Sequence, residues 1–142
     1  MKAAHKETVS EGSLVVTLTA WLVAHGYRVK CEVANMGQSA DIVATKGRWV
    51  TVFEAKVGNW RRALQQCQAH ETVADYICVA IASTTIRQEL EVSVSNKGYG
   101  LLHYRRHSRE WTWIRRPTHN PHVWQPQRRV WANNARKIRY AH

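Results

Sequence analysis

The hydrophobic pattern near the start of the chain changes from a helical period to a strand period. Apolar residues recur at intervals of three and four between Glu7 and Gly26, which predicts an amphipathic helix. Ser10 is suited to cap the start of this helix, and Gly26 is suited to end it. Apolar and polar residues then alternate over Tyr27–Ala34, which predicts a strand.

Two further segments rich in β-branched residues, Ser39–Ala44 and Val50–Lys56, are joined by a basic glycine turn and predict a hairpin. If Gly47 and Arg48 form a type II′ turn, residues whose numbers sum to 95 lie opposite one another. This register fixes which side chains share a face of the sheet.

In that register Asp41 faces Glu54, and strand alternation puts Lys56 on the same face. Like charges directly opposite one another destabilise a sheet, so the pairing points to a divalent cation, which proteins hold with one or two carboxylates and water. A surface hairpin with both acids solvated is the alternative, because a slip of one residue would separate them.

The remaining segments predict helices and strands in alternation. They are a helix over Trp60–Thr72 capped by Asn59, a buried strand over Tyr76–Ile81, a short helix over Ser83–Val92, and strands over Gly98–Tyr104 and Trp111–Arg115. Pro117, Pro121 and Pro126 then predict an extended segment.

Positive charge is concentrated in the last third of the chain. The net charge is +11; residues 1–96 carry ten Lys and Arg against nine Asp and Glu, whereas residues 97–142 carry eleven against one. A near-neutral body with a strongly basic end is typical of polyanion binding. Nucleic acid is favoured over a membrane, because the tail lacks a continuous apolar face.

Several other classes find no support in the sequence. Cys31, Cys67 and Cys78 are odd in number and lie in apolar segments, which predicts buried, reduced thiols of a cytoplasmic protein. Residues 1–12 lack the apolar core of a secretory signal, and the apolar run over residues 14–24 is too short to span a bilayer. The sequence has no glycine-rich nucleotide-binding motif, so no nucleotide cofactor is expected.

Ala40-Asp41, the hairpin, and Glu54-Ala55-Lys56 resemble the core of the PD-(D/E)XK (restriction-endonuclease-like) nuclease superfamily. Ala40 stands where the family has a proline, and the resemblance covers roughly residues 11–104. It implies an α/β fold with an αβββαβ core and a mixed central sheet, followed here by a C-terminal hairpin and a basic tail. We expect residues 1–116 to form the nuclease-like domain and residues 117–142 to form a Pro-containing basic and aromatic extension.

The resemblance also implies the site. Asp41, Glu54 and Lys56 would be catalytic, and one or two Mg²⁺ (or Mn²⁺) ions would be held by the two carboxylates and the backbone carbonyl of Ala55. Glu11 would be an outer metal ligand; alternatively, it complements the positive end of the first helix.

The helix after the hairpin adds further candidates. Resembling families have a glutamine here that touches the site, and Gln66 is preferred to Gln65, although the tyrosine that follows in some relatives is missing. Arg61 and Arg62 at the helix start suit a phosphate. By frequency, Arg62, Gln66 and His70 would instead form a solvated polar face.

The resemblance therefore implies a Mg²⁺-dependent deoxyribonuclease, most simply an endonuclease acting on duplex, branched or single-stranded DNA. Homodimerisation is expected by analogy alone, and a non-catalytic DNA- or RNA-binding module is the alternative. The tail aromatics would stack on bases or, alternatively, pack back on the domain. The predicted nucleic-acid contacts are Arg61, Arg62, Arg105, Arg106, Arg115, Arg116, Arg128, Arg129, Trp131, Arg136, Lys137 and Arg139.

Overall fold

The computed structural model describes residues 9–35 and 38–136, which form a mixed α/β structure. The helices are α1 (Glu11–Ala24), α2 (Trp60–Gln68), α3 (Gln88–Lys97) and α4 (Gln125–Arg136). The strands are β1 (Arg28–Asn35), β2 (Gln38–Lys46), β3 (Trp49–Lys56), β4 (Tyr76–Ile81), β5 (Gly100–Arg105) and β6 (Glu110–Arg115). Within the described ranges, no helix is both long and apolar enough to cross a membrane.

The six strands form one sheet in the order β1-β2-β3-β4-β5-β6. Neighbours are antiparallel from β1 to β3, β4 and β5 run parallel to β3, and β6 returns antiparallel to β5. The carboxyl ends of β3, β4 and β5, at Lys56, Ile81 and Arg105, therefore lie along one edge, which we call the carboxyl edge. The opposite edge, where Gly47 and Arg48 connect β2 to β3, is the turn edge.

The β2–β3 hairpin has the register that the sequence predicts. Ile42 pairs with Phe53, and the pairing continues in step to the turn. Gly47 has a φ of 61°, and Arg48 is not among the residues with positive φ. Positive φ at the first central position alone is the signature of the type II′ turn, so the predicted turn is confirmed.

The sheet separates two hydrophobic cores, because successive side chains of a strand point to opposite faces. The first core, under α1, comprises Leu14, Leu18, Leu22, Ile42, Ala44, Phe53, Ala55, Cys78, Ala80, Ala82, Leu102, Tyr104 and Trp111. In the second, Val50, Val52, Ile77, Val79 and Leu101 of the sheet meet Trp60, Ala63, Cys67, Leu90, Val94, Trp131 and Ala132 of the other three helices. Full burial of one such leucine or valine contributes about 1.5–3 kcal/mol.

Helix α1 is fixed at both ends. Ser10 caps its start: Ser13 donates its backbone N–H to Ser10 Oγ at 3.0 Å, and Ser10 donates its own to Ser13 Oγ at 3.1 Å. At the other end Gly26 has a φ of 90°, and Lys46 Nζ donates to the carbonyl of His25 at 3.0 Å. The predicted cap and stop are confirmed, α1 starts at the carboxyl edge, and the predicted start at Glu7 lies outside the described residues.

The predicted helix over Ser83–Val92 is wrong in its bounds, because α3 spans Gln88–Lys97. Ser83 Oγ donates to the carbonyl of Thr85 at 2.6 Å, a local turn contact that competes with helix formation. Gly98, with a φ of 77°, ends α3 in the left-handed conformation.

The predicted extended segment after Pro117 is also wrong, because α4 forms within it. Pro126 lies in the first turn of α4, where a backbone N–H would have no partner within the helix, so the proline costs no helical hydrogen bond. Burial of Trp131 and Ala132 in the second core stabilises the helix, so residues up to Ala132 pack on the sheet.

The three cysteines are free thiols, but only two of them match the prediction of burial. Cys67 and Cys78 are buried, and burial raises the pKa of both thiols. Cys31 is exposed, because it lies on the outer strand β1.

Candidate functional site

Two carboxylates meet at the carboxyl end of the hairpin. Continued by one pair, the register of β2 and β3 places Asp41 beside Glu54. Asp41 Oδ2 accepts a hydrogen bond from the backbone N–H of Ala55 at 2.9 Å, which fixes one oxygen of this half-buried carboxylate. The structure thus brings together the two acids that the sequence pairs.

Glu54 is completely buried, with 0% of its surface exposed. Its Oε2 lies 2.9 Å from Nε2 of His70, two residues after the end of α2, whereas its Oε1 has no hydrogen-bond partner among the described residues. Burial raises the pKa of Glu54, the hydrogen bond with His70 lowers it, and the nearby charge of Asp41 raises it again. The alternative of two solvated surface acids therefore does not hold for Glu54.

Lys56 is nearly buried at the end of β3, with 7% exposed. Its Nζ lies 3.5 Å from Oε1 of Glu11, in the first turn of α1. Glu11 is thus both an acid at a helix start and an ion-pair partner of Lys56, while its place as an outer metal ligand stays a prediction.

Helix α2 contributes a second buried oxygen without a partner. Gln66 Oε1 has no hydrogen-bond partner among the described residues, whereas Gln65 is exposed. Gln66 lies in the last turn of α2, four residues before His70, which follows the end of the helix and contacts Glu54. The alternative of a solvated face is wrong for His70, which is fully buried.

Arg61 and Arg62 are exposed at the start of α2, next to the carboxyl edge. Asn59 Oδ1 accepts the backbone N–H of Arg62 at 3.2 Å, which confirms Asn59 as the cap. The guanidinium of Arg61 lies 4.3 Å above the ring of Trp60 and 3.6 Å from a carboxylate oxygen of Glu89. Both arginines remain available to solvent.

The other basic residues divide between the two edges of the sheet. Arg105 and Arg106 follow the carboxyl end of β5 and lie at the carboxyl edge. Arg115 pairs with Leu101 at the start of β5, so Arg115 and Arg116 lie at the turn edge. The structure therefore brings only the first pair toward Asp41 and Glu54.

Two predicted nucleic-acid contacts on α4 have structural roles instead. Arg128 binds Asp75 with Nε–Oδ1 and Nη2–Oδ2 distances of 2.9 and 2.7 Å, and its Nη2 also donates to the carbonyl of Arg48 at 2.6 Å. Trp131 is only 4% exposed and stacks on His70 with ring centroids 6.0 Å apart. Neither side chain is free to hold a phosphate or a base.

The remaining tail residues are placed only in part. Arg129 is exposed on α4. The side chain of Arg136, and Lys137 and Arg139 altogether, lie outside the described residues, so their predicted nucleic-acid contacts stay predictions.

The sequence prediction missed two buried polar residues: His70, which contacts Glu54 at the candidate site, and Asp75, which lies at the turn edge away from that site. His70 continues the inner stripe of α2, at the i, i+4, i+7 spacing of Ala63 and Cys67, and this spacing was the available signal. Asp75 directly precedes the buried strand β4, and its Oδ2 accepts the backbone N–H of Val50 at 2.8 Å. No local sequence feature distinguishes that acid from a turn residue.

The carboxylate oxygens of Asp41 and Glu54 are of the type that hard divalent cations prefer. No cluster of three or more His, Cys, Asp and Glu side chains suited to a metal is found among residues 9–35 and 38–136. Mg²⁺ does not need such a cluster, because one or two carboxylates, water and substrate phosphate oxygens complete its coordination. Asp41 and the unpartnered Oε1 of Glu54 meet this requirement, whereas Zn²⁺ would favour cysteine and histidine ligands.

Comparisons of this chain with known protein families, curated proteins and solved structures find no match. The interpretation of the site therefore depends on its own geometry and chemistry.

Proposed function

We propose that this protein is a metal-dependent DNA nuclease whose site lies at the carboxyl edge, around Asp41, Glu54 and Lys56. The observation that carries the proposal is the fully buried Glu54, which leaves Oε1 without a partner beside a second carboxylate. Such a buried oxygen costs about 1–3 kcal/mol unless a ligand satisfies it. A divalent cation between the two carboxylates would satisfy it.

The arrangement of the strands supports the same proposal. An antiparallel β1-β2-β3 unit lies next to β4, which runs parallel to β3, and α1 and α2 cover opposite faces, so the element order through β4 is αβββαβ. We propose that this part is the nuclease core and that α3, β5, β6 and α4 are additions to it.

Each residue has a distinct task in the proposed reaction. Asp41, Glu54 and the carbonyl of Ala55 would hold Mg²⁺ or Mn²⁺, which when bound lowers the pKa of water and offsets charge on a phosphoryl group. Lys56, positioned by Glu11, would stabilise a nonbridging phosphate oxygen as negative charge develops on it.

Groups around this centre would bind the substrate. Gln66, whose buried Oε1 has no hydrogen-bond partner among the described residues, would donate an amide N–H to the attacking water or the phosphate. Arg61 and Arg62 would hold the DNA backbone next to the reacting phosphate.

The test is cleavage of linear, nicked, flapped and four-way DNA with Mg²⁺ and with EDTA. Asp41→Asn and Glu54→Gln keep an oxygen for Ala55 N–H and for His70, so we expect both variants to fold. Each should reduce Mg²⁺-dependent cleavage at least about 100-fold, because each removes a charge from the ion's ligands.

The matched control is Glu91→Gln, which removes a carboxylate from an exposed position on α3. It should cleave within about twofold of the unmodified protein, because surface substitutions away from a site are nearly neutral. Full activity in the folded Asp41→Asn or Glu54→Gln variant would refute the assignment.

A second candidate is a non-catalytic nucleic-acid-binding module on the same fold. The observation in its favour is that Arg61, Arg62 and Arg105 are exposed at the carboxyl edge, where a polyanion can reach them. Such a module would bind DNA or RNA with a steep salt dependence and show no metal-dependent cleavage on any substrate in the assay. Competition between single-stranded RNA and the DNA substrates would identify its ligand.

A further inference from the structure

A cavity of about 250 Å³ opens at the carboxyl edge, next to the proposed nuclease site. Ser83 and Thr84, which follow β4, form one side of it, and Arg105, Arg106 and His107, at the end of β5, form the other. These lining side chains are hydroxyls, guanidinium groups and an imidazole, with no carboxylate among them. Such a set of donors suits a ligand with several anionic oxygens.

The walls of the cavity are held by hydrogen bonds to backbone carbonyls. Arg106 Nε donates to the carbonyl of Ala82 at 3.1 Å, and His103 Nε2 lies 2.7 Å from the carbonyl of Ser83. These contacts tie the segment after β4 to the end of β5. Arg105 and His107 are exposed and can reach an incoming group.

The cavity lies a short, fixed distance from the proposed reaction centre. Ala82, one residue before Ser83, donates its backbone N–H to the carbonyl of Lys56 at 3.2 Å. Arg105 is two strands away from Lys56, and strands in a sheet lie about 4.8 Å apart. Because His103, two residues before Arg105, is level with Lys56, a group in the cavity and a group at Lys56 would be at least about 10 Å apart.

We propose that this cavity binds a backbone phosphate of the substrate strand, about one or two nucleotides from the bond that is cleaved. Arg105 and Arg106 pair with the phosphate oxygens, and Ser83, Thr84 and His107 supply further hydrogen bonds. The distance of the bound phosphate from the cleaved bond rests on the proposed nuclease function, whereas phosphate binding in the cavity does not. A phosphate held on one side of the site fixes the direction in which the strand crosses it.

The first measurement is DNA binding by the full chain in EDTA, where the proposed cleavage cannot occur, at a series of salt concentrations. Arg105→Ala should weaken binding about 10-fold and reduce the slope of log Kd against log salt by about 1. The control, Arg28→Ala, removes the same charge from an exposed position at the turn edge. It should change the affinity less than about twofold at 0.15 M salt, where charges beyond about 8 Å are screened.

The second measurement locates the phosphate that is bound. Single phosphates of one strand are replaced in turn by neutral methylphosphonates, and each oligonucleotide is titrated with the unmodified protein and with Arg105→Ala. For the unmodified protein, a methylphosphonate at one or two adjacent positions should weaken binding about 10-fold. For Arg105→Ala, the same methylphosphonates should weaken binding little beyond the effect of the substitution itself. Equal, additive losses at every position would overturn the proposal.

The two hypotheses fail in different ways. One result is that neutralising a single phosphate weakens binding only when Arg105 is present, while no Mg²⁺-dependent cleavage is seen. In that case the phosphate subsite stands and the nuclease function is wrong. If cleavage occurs and Arg105→Ala binds and cuts like the Arg28→Ala control, the nuclease function stands and the subsite is wrong.

Discussion

At the residue scale, the pKa of Glu54 depends on three influences that act in different directions. Burial raises the pKa, the hydrogen bond with His70 lowers it, and the charge of Asp41 raises it. His70 is itself held in place, because Trp131 stacks on the imidazole at an interplanar angle of 15°. The histidine that follows α2, held by a tryptophan of α4, therefore keeps Glu54 closer to the ionised form that a metal ion needs.

We predict that His70→Leu weakens Mg²⁺ binding about 10–100-fold, since it removes the partner that orients the Glu54 carboxylate. Loss of this hydrogen bond should also reduce the free energy of unfolding by about 1–3 kcal/mol. Isothermal calorimetry and urea unfolding measure the two effects. His70→Gln, which can still donate an N–H, should recover part of the affinity.

His122→Leu is the control for this experiment, because His122 is exposed and lies in the segment before α4. It should bind Mg²⁺ like the unmodified protein. Unchanged Mg²⁺ affinity in a folded His70→Leu variant would contradict the positioning role.

At the element scale, a buried ion pair fastens α4 to the sheet. Asp75 is 3% exposed and receives both a bidentate contact from Arg128 and the backbone N–H of Val50. Arg128 also reaches the carbonyl of Arg48 in the hairpin turn. The pairing with Asp75 raises the pKa of Arg128 against the smaller effect of burial, so the guanidinium stays charged.

Replacing Arg128 with alanine should lower the free energy of unfolding by about 2–3 kcal/mol, because Asp75 then stays buried without its cation. The free energy of unfolding of Arg128→Lys should lie between those of the unmodified protein and Arg128→Ala, because an ammonium cannot reproduce the planar, two-bond contact. The neighbouring, exposed Arg129 provides the control: Arg129→Ala should change stability by less than about 0.5 kcal/mol. Urea unfolding distinguishes them, and equal stabilities for both alanine variants would contradict the role of this pair.

The elements that depend on local sequence are the ones that could be predicted. The turn at Gly47, the hairpin register, and the caps at Ser10 and Asn59 follow from short-range preferences, and so does the pairing of Asp41 with its partner on β3. Helix α4 was missed because its proline-rich, basic sequence favours an extended chain until Trp131 is buried against distant residues. Long-range burial of this kind leaves no local signal.

At the scale of the whole molecule, the positive charge that the sequence places in one region is divided in space. Arg105 and Arg106 lie at the carboxyl edge, whereas Arg115, Arg116 and Arg128 lie toward the turn edge. The chain reverses direction between β5 and β6, and this reversal separates residues that are close in sequence. Charge counts along the chain predicted a polyanion partner but could not predict which basic residues are near the two acids.

Stability should fall in alkaline solution because of Tyr99, which is 3% exposed and donates its hydroxyl to Glu71 Oε2. Burial and this hydrogen bond raise the pKa of Tyr99 far above the ordinary value of 10.0. The folded state therefore keeps a proton that the unfolded state releases. The contribution of Tyr99 is complete below pH 10 and is lost as the pH rises further toward the folded pKa.

Urea unfolding between pH 8 and pH 11 tests this expectation, with Tyr99→Phe as the comparison. The phenylalanine variant should be less stable at pH 8 by about 1 kcal/mol, owing to the lost hydrogen bond, and should lose less stability above pH 10. Parallel curves for the two proteins across this range would contradict it.

The stacking of Trp131 on His70 has a practical consequence for anyone who shortens this protein. Cutting the chain before α4 would remove Trp131 from the stack and let water reach the imidazole of His70 and the carboxylate of Glu54 behind it. Under the proposed nuclease function, such a truncated variant would lose activity because Glu54 is no longer shielded from water, and a deletion screen would count α4 among the catalytic elements although its contribution is to packing.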